Sequence, residues 1–298
     1  MRIVESVRAL QSRADLERAA GRRIALVPTM GALHAGHLSL VDAARKHADC
    51  VWVSIFVNPA QFDEAVDFER YPSDRDGDLA KCREAGVDLV FAPTVEEMDP
   101  LGAQTAVEVS ELAKPLCGAS RPGHFRGVAT VVSKLLHAAK PHVAVFGEKD
   151  FQQLAVIRRM VHDLAFDVDV ISGPIVREPD GLALSSRNVR LGPQARQQAR
   201  ALVCALDVAE SAVAAGERSR DALLQLVSAE IARADRATLD YAELRDPGSL
   251  ELAPELLAGD TLLALAAHFR PDDDGRGADT RLIDNRVLHP KSTVPLPT

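Results

Sequence analysis

Between residues 24 and 173 the chain alternates short β-rich runs with longer helical stretches, and this alternation restricts the fold more than any other feature of the sequence. IALV (24–27), CVWVSIFV (50–57), DLVFA (88–92), VAVF (143–146) and DVDVISG (167–173) read as strands. Gly36 to Ala48, Ser73 to Ala85 and Phe151 to Leu164 read as helices. Strands joined through helices run parallel, with right-handed βαβ crossovers. The expected fold class is therefore α/β, with a Rossmann-like parallel sheet domain over residues 1–175.

Beyond Pro174 the texture changes to Gly/Pro punctuation, followed by polar-alanine helical stretches at Pro193 to Ala215 and Arg218 to Ala234. TLDYAEL (238–244), TLLALAAHF (261–269) and RLIDN (281–285) have the length of strands that pair as a small antiparallel sheet on those helices. A smaller α+β domain, 176–298, is expected to follow the first. RPDDDGRGAD (270–279) has the composition of a solvated loop, and the proline-rich tail HPKSTVPLPT is expected to fray.

Charge narrows the function. A net charge of −8 argues against nucleic acid or an anionic membrane as partner, because both draw on clustered Lys and Arg. An anionic substrate then needs a local positive pocket. The charged amino-terminal stretch lacks the apolar run of a secretory signal, and no later run is long enough to span a bilayer, so a cytoplasmic location is expected. Cys50, Cys82, Cys117 and Cys204 show no CxxC spacing and are read as buried, reduced thiols.

The chemistry-bearing stretch is VPTMGALHAGHLSL (27–40), which follows the first expected strand and opens the first helix. Ligands of parallel α/β sheets bind at such strand ends. The stretch lacks GxGxxG, and His37-Leu38 stands where a P-loop carries Lys-Ser/Thr. His34 and His37, three positions apart at a helix start, can face one side of the turn with Gly36 between them, and a triphosphate can sit on the unpaired N–H groups there. This HxGH pattern resembles the HIGH motif of the nucleotidyltransferase superfamily. Asn58 and Gln61 in VNPAQF (57–62) offer neutral amides at another strand end. FGEKD (146–150) places Gly147, then Lys149 and Asp150, at a helix start, where a lysine can neutralise phosphate charge during transfer. LSSRN (184–188) supplies two hydroxyls and an arginine suited to clamping phosphates. Taken singly, these are unremarkable caps, turns and loops; their joint occurrence in this order is informative.

Together, VPTMGALHxGH, VSIFVNPxQF, RPGHFRGV, FGEKDxQQ and SSRN resemble the pantothenate synthetase (pantoate–β-alanine ligase) family, over nearly the whole chain as far as TRLIDN at 280–285. The resemblance implies an AMP-forming ligase that activates pantoate with ATP as pantoyl adenylate and passes the acyl group to β-alanine. It implies His34, His37, Lys149 and Arg187 as catalytic residues. It also implies Pro28, Thr29, Met30, Gly147, Asp150, Val176, Leu184, Ser185 and Ser186 around ATP, with His34, His37, Lys149 and Arg187 among them. Gln61 and Gln153, and less directly Asn58, Tyr71 and Arg121, are implied for the substrate, and Asp78 for Mg²⁺. A homodimer is implied; because a mixed anhydride hydrolyses easily, the site is expected to close over it, with the 185–188 loop and the second domain as candidate lid. Two features depart from the family pattern: Leu184 stands where Met is usual, and the 270–279 stretch is longer than expected but remote from the motifs. Alternatives are a nucleotidyltransferase that leaves the nucleotide on its product, and a nucleotide-binding module without turnover.

Overall fold

A computed structural model of the chain describes residues 1–62, 68 and 71–290. The expectation for the tail falls, from residue 291 onward, outside them. The chain divides into two compact units, Met1–Val176 and Arg177–Thr298.

The first unit contains β1 (Arg2–Val4), α1 (Val7–Ala19), β2 (Ile24–Thr29), α2 (Ala35–Arg45), β3 (Cys50–Ile55), a 3-10 turn at Pro59–Gln61, α3 (Arg75–Glu84) and β4 (Leu89–Phe91). It continues with α4 (Val95–Met98), α5 (Cys117–Ser120), α6 (His124–Ala139), β5 (Val143–Gly147), α7 (Phe151–Asp163) and β6 (Asp169–Gly173). The six strands form one sheet in the order β1-β4-β3-β2-β5-β6, with every neighbouring pair parallel. The chain moves from β2 out to β3 and β4, then returns past β2 to β5 and β6. Strand order therefore reverses between β2 and β5, which opens a crevice at their carboxyl ends.

Burial explains the strands. Ile24, Ala25, Leu26 and Val27 are fully buried, and Val51, Trp52 and Val53 nearly so, as in a sheet covered on both faces. From α2, Leu40, Val41 and Ala44 enter the cluster formed by Val27, Val53, Val90 and Val145. Helix α6, not expected from the sequence, buries Phe125, Val128, Ala129, Val132, Leu135 and Leu136 at helical spacing. Nor was β1 expected, since three edge residues in a charged stretch carry too little periodicity to be read.

The second unit contains a 3-10 turn at Ser186–Arg190, α8 (Pro193–Gln198), α9 (Ala201–Ala214), α10 (Arg220–Ile231), β7 (Ala237–Arg245), β8 (Thr261–Phe269) and β9 (Thr280–Leu288). The strands form the antiparallel sheet β7-β8-β9. Leu202, Leu206, Leu223, Val227, Leu263, Leu265 and Phe269 share its core with the helices. The stretch expected as one helix from Pro193 is two, because the backbone tightens at Ala199 and Arg200, with ψ of −19° and −18°. The 270–279 stretch is not simply solvated: Asp272 is 4% exposed, and its carboxylate accepts the Gln194 and Ala195 N–H groups at the start of α8. Among the described residues no helix is long and apolar enough to cross a membrane. All four cysteines are free; Cys50, Cys82 and Cys117 are buried and Cys204 is half-buried.

One packing contact ties the fold to the strand ends. Gly127 of α6 lies against the Pro59–Gln61 turn so closely that a Cβ there would fall 2.2 Å from the Ala60 carbonyl oxygen. The Gly127 carbonyl also accepts from Asn58 Nδ2 at 3.2 Å. Both colliding partners are backbone, so neither yields by a rotamer change. Gly127→Ala is expected to destabilise the protein by about 1–3 kcal/mol, the usual cost of overpacking, and to lower Tm in calorimetry. An unchanged Tm would show that the turn is not seated on the helix in this way.

Candidate active site

The loop from β2 to α2 is built on two consecutive left-handed residues, Gly31 and Ala32, with φ of 82° and 48°. This turns successive N–H groups inward. Ala32 N–H donates to Asp78 Oδ2 at 2.8 Å and Leu33 N–H to Asp78 Oδ1 at 2.7 Å. Asp78, from the first turn of α3, is 1% exposed, and Lys81 Nζ stands 3.8 Å from its Oδ1. Thr29 completes the turn: its hydroxyl donates to the Ser54 carbonyl at 2.7 Å and accepts the Gly31 N–H at 3.2 Å.

The loop delivers His34 as the cap of α2. His34 Nδ1 accepts the Gly36 N–H at 3.1 Å, and His37 Nδ1 accepts the His34 N–H at 3.3 Å, a reciprocal capping box made from two imidazoles. A ring nitrogen that accepts carries no proton, so in the neutral rings Nε2–H is the remaining donor on both. The rings stand 4.1 Å apart between centroids. Burial, and then the neighbouring His34, push the His37 pKa down to about 3; Asp150 opposes this shift while Lys149 and Lys81 add to it. The same interactions place His37 near Lys149 and Asp150, which follow the carboxyl end of β5, across the crevice from β2. Lys149 is largely covered and lies 3.9 Å from the half-exposed Asp150 carboxylate. His34, His37, Gly147, Lys149 and Asp150 thus gather at the reversal of strand order, with Pro28, Thr29 and Met30 on the β2 side.

A second group lies past β3. Asn58 is 6% exposed, and its side chain is engaged on both sides: Nδ2 donates to Gln61 Oε1 and to the Gly127 carbonyl, each at 3.2 Å, and Oδ1 accepts the Ala60 N–H at 3.3 Å. Gln61, 7% exposed, also approaches Met30 Sδ through Nε2. Its carbonyl accepts from Arg121 Nη2 at 3.0 Å and from His124 Nδ1 at 2.7 Å. His124 must therefore carry its proton on Nδ1, leaving Nε2 to accept from Arg121 Nη1 at 3.3 Å. His124 was not singled out from sequence, although it lies inside RPGHFRGV. Tyr71 packs edge-on against Phe62, the residue after Gln61, with ring centroids 5.6 Å apart.

The two glutamines of FGEKDxQQ divide their roles. Gln152 is 5% exposed, and its amide pins the segment before α5 by accepting the Cys117 N–H and donating to the Leu112 and Pro115 carbonyls. Gln153 is half-buried, and its amide has no hydrogen-bond partner among the described residues.

In the second unit, Ser185 caps the 186–190 turn, its Oγ accepting the Arg187 N–H at 3.2 Å. Asn188 Nδ2 donates to Glu178 Oε1 at 3.0 Å and to the Ala183 carbonyl at 3.1 Å, and so closes LSSRN into a compact bend. Arg177 grips the buried Asp284 of β9 through two hydrogen bonds of 2.6 and 2.9 Å, which accounts for the aspartate of TRLIDN. Val176, Leu184, Ser185, Ser186 and Arg187 are all half-buried.

A family profile described as pantoate-beta-alanine ligase matches residues 2–287. The chain belongs to the pantoate–β-alanine ligase family. The pantothenate synthetases of Syntrophobacter fumaroxidans and Geobacter sulfurreducens are 52% and 50% identical to this ligase, over 97% of its chain and 99% of theirs. The crystal structure of pantothenate synthetase from Thermus thermophilus superposes with a TM-score of 0.87 at 43% identity, covering 97% of this chain and 100% of that one. The pantoate-beta-alanine ligase of Francisella tularensis, crystallised with beta-gamma ATP and beta-alanine, matches with a TM-score of 0.76 at 32% identity over 96% of this chain and 97% of that one. The expected fold class, a parallel α/β sheet domain followed by a smaller α+β domain, is that of these structures.

The His37 environment sets a pH dependence for the free ligase. Folding holds the imidazole neutral, so between its ordinary pKa of 6.5 and about 3 only the unfolded chain takes up the proton. The contribution of this group to stability is therefore complete above 6.5 and is lost as pH falls through that window. In NMR spectra of the ligand-free protein, the His37 ring signals, assigned with a His37→Asn variant, are expected not to titrate between pH 8 and 5. Titration near 6.5 would show that the imidazole is not held in this way.

Proposed function

We propose that this ligase condenses pantoate with β-alanine in two ATP-driven steps. Pantoate and ATP give pantoyl adenylate and pyrophosphate, and β-alanine then displaces AMP to give pantothenate. The observation that carries this reading is the imidazole pair fixed as Nε2–H donors at the amino terminus of α2, with Lys149 beside it at the end of β5. A helix start with neutral donors and a neighbouring ammonium suits a polyphosphate. The Francisella complex with beta-gamma ATP and beta-alanine supports the choice of nucleotide and amine.

In this reading Pro28, Thr29, Met30, His34, His37, Gly147, Lys149, Asp150, Val176, Leu184, Ser185, Ser186 and Arg187 serve ATP. Gln61 and Gln153 hold pantoate, with Tyr71 and Arg121 nearby. Asn58 acts through Gln61, since its own amide is engaged on both sides. A pantoate carboxylate oxygen attacks the α-phosphorus, the bond to the β-phosphate oxygen breaks, and pyrophosphate leaves. The nucleophile is already ionised, so no base is required; what is required is stabilisation of phosphate charge, which Lys149 and the two imidazoles supply. In the second step the neutral amine attacks the acyl carbon, the bond to AMP breaks and the amine gives up a proton to solvent, a problem chiefly of positioning. The enzyme is proposed to act as a cytoplasmic homodimer.

Magnesium is proposed to enter as the ATP complex, since phosphate oxygens are its usual partners in such sites. Asp78, implied as a ligand by the resemblance, fits that role poorly: each of its oxygens already accepts a loop N–H, and it is 1% exposed. Among the described residues no group of three or more His, Cys, Asp or Glu could hold a metal ion, and no step is assigned to one.

With pantoate, ATP and Mg²⁺ but no β-alanine, the enzyme is expected to exchange labelled pyrophosphate into ATP, and on addition of β-alanine to release AMP in proportion to pantothenate. ADP as product would indicate an acyl-phosphate route, and exchange without any carboxylic acid would overturn the proposal. Gln61→Ala and Gln153→Ala should raise the pantoate KM by about tenfold or more while moving the ATP KM little, because a site built to hydrogen-bond a hydroxyl discriminates poorly once a partner is removed. The opposite pattern would assign the glutamines to the nucleotide.

A further inference from the structure

The 270–279 stretch, expected to lie far from the motifs, folds directly onto the segment that leaves LSSRN. Asp272 acts from a distance as the cap of α8. Gly192, at the cap position, has no side chain to offer the helix, and Asp272 supplies the missing acceptors: Oδ2 takes the Gln194 N–H at 3.1 Å and Oδ1 the Ala195 N–H at 2.9 Å. The fit leaves no room for a larger residue on either side. A Cβ at Gly192 would lie 2.5 Å from Asp272 Cγ and 2.6 Å from the Arg276 carbonyl oxygen, and one at Gly277 would lie 2.2 Å from Gly192 N. The loop also pairs with the end of the Ser186–Arg190 turn, where Ala278 N–H donates to the Arg190 carbonyl at 2.8 Å. Behind it, Arg236, 8% exposed, donates to the Pro271 carbonyl and to Gln194 Oε1, each at 2.6 Å.

Helix α8 carries this anchoring back to the clamp residues. Its Arg196 donates to Asp180 Oδ2 at 2.8 Å and to Glu178 Oε2 at 2.9 Å, while the other oxygen of Glu178 accepts from Asn188 in LSSRN at 3.0 Å. The bend that presents Ser185, Ser186 and Arg187 is therefore held at its far end by the 272–278 loop and at its near end by Glu178, and α8 joins the two anchors, capped by Asp272 and bound to Glu178 through Arg196. We propose that Asp272 is a positioning residue for nucleotide binding, which sets the Ser185–Arg187 bend through α8. The inference rests on the reading above, in which that bend clamps the phosphates of ATP.

The test is steady-state kinetics on the full-length enzyme with three substitutions and one double variant. Arg187→Ala should raise the ATP KM by about tenfold or more. Asp272→Asn, which keeps the size of the side chain but replaces one acceptor by a donor, should raise the ATP KM by a comparable factor while the pantoate KM stays within about twofold. Combined with Arg187→Ala, it should add little, because both act on one element. Leu223→Ala, a cavity in the core of the same unit away from the loop, should lower Tm at least as much without moving the ATP KM. If Asp272→Asn does not accumulate as folded protein, Arg236→Gln loosens the same loop from its other anchor and is read in the same way. An Asp272→Asn enzyme with unchanged ATP KM beside an impaired Arg187→Ala overturns the positioning role and leaves the clamp standing. Equal shifts from Leu223→Ala overturn it too, by reducing it to general stability. An Arg187→Ala enzyme with normal ATP KM removes the clamp, and the inference with it, while pantoate-dependent pyrophosphate exchange by the unaltered enzyme reports separately on adenylation.

Discussion

The candidate active-site end of the first unit depends on one buried carboxylate. The loop between β2 and α2 holds a non-glycine residue, Ala32, in the left-handed region directly after Gly31, a conformation that costs on the order of 1 kcal/mol or more. Asp78 offsets that cost. It accepts two successive loop N–H groups at 2.8 and 2.7 Å, and hydrogen bonds to a charged group contribute about 1.5–3 kcal/mol each. Its own burial is made tolerable by those bonds and by the Lys81 ammonium at 3.8 Å. The direction of the loop, the position of His34 at the cap of α2, and the reach of His37 toward Lys149 all follow from this contact. An aspartate that the family resemblance implies for Mg²⁺ holds backbone here.

What is gained is a pair of imidazoles with defined tautomers. A cap made from Asp would also satisfy the first N–H groups of α2, but its carboxylate has no donor to turn outward. With Nδ1 of each ring committed to a backbone N–H, the proton sits on Nε2 without any need for a positive charge. The depressed pKa of His37 fits the same arrangement, because burial and then the neighbouring imidazole disfavour the charged ring, with Lys149 and Lys81 adding to them against the opposing pull of Asp150. In a chain of net charge −8, local attraction for an anion then comes from the helix end and from Lys149 and Lys81.

Much of this was legible in the residues themselves. Five strands of the parallel sheet, helices α2, α3 and α7 and all three antiparallel strands lie within a few residues of where apolar runs place them, because burial on both faces leaves a strong signal. HxGH was legible because its spacing, three residues across a helix start, is local. The rest depends on tertiary contacts that no local pattern encodes. Asp78 meets the loop across 45 residues, and Asp272 meets α8 across 77. His124 acts on the carbonyl of Gln61, a main-chain group whose partners leave no mark on residue type. The adjacent glutamines Gln152 and Gln153 look equivalent in sequence, yet successive helix positions differ by about 100° in direction; one is spent on pinning the segment before α5 and the other has no hydrogen-bond partner for its amide among the described residues. RPDDDGRGAD misled for a related reason, since turn composition describes the path of a chain and says nothing of a buried carboxylate within it.

In the proposed two-step reaction, with the imidazoles and Lys149 in the roles proposed above, neutral donors also bear on reversibility. A cation at each imidazole position would bind the triphosphate and the departing pyrophosphate strongly alike, and binding shared by ground and transition states does not raise the rate of the chemical step. A neutral Nε2–H gives directional hydrogen bonds that strengthen as charge builds on the leaving phosphate, with less attraction for the phosphate before and after. Lys149 then supplies full charge from the end of β5, on the side of the crevice where strand order reverses. An ionised nucleophile imposes the same restraint. Every additional fixed cation would hold the pantoate carboxylate as an ion pair and blunt its attack on phosphorus, so a site that must bring two anions together does better with few charges and many oriented donors.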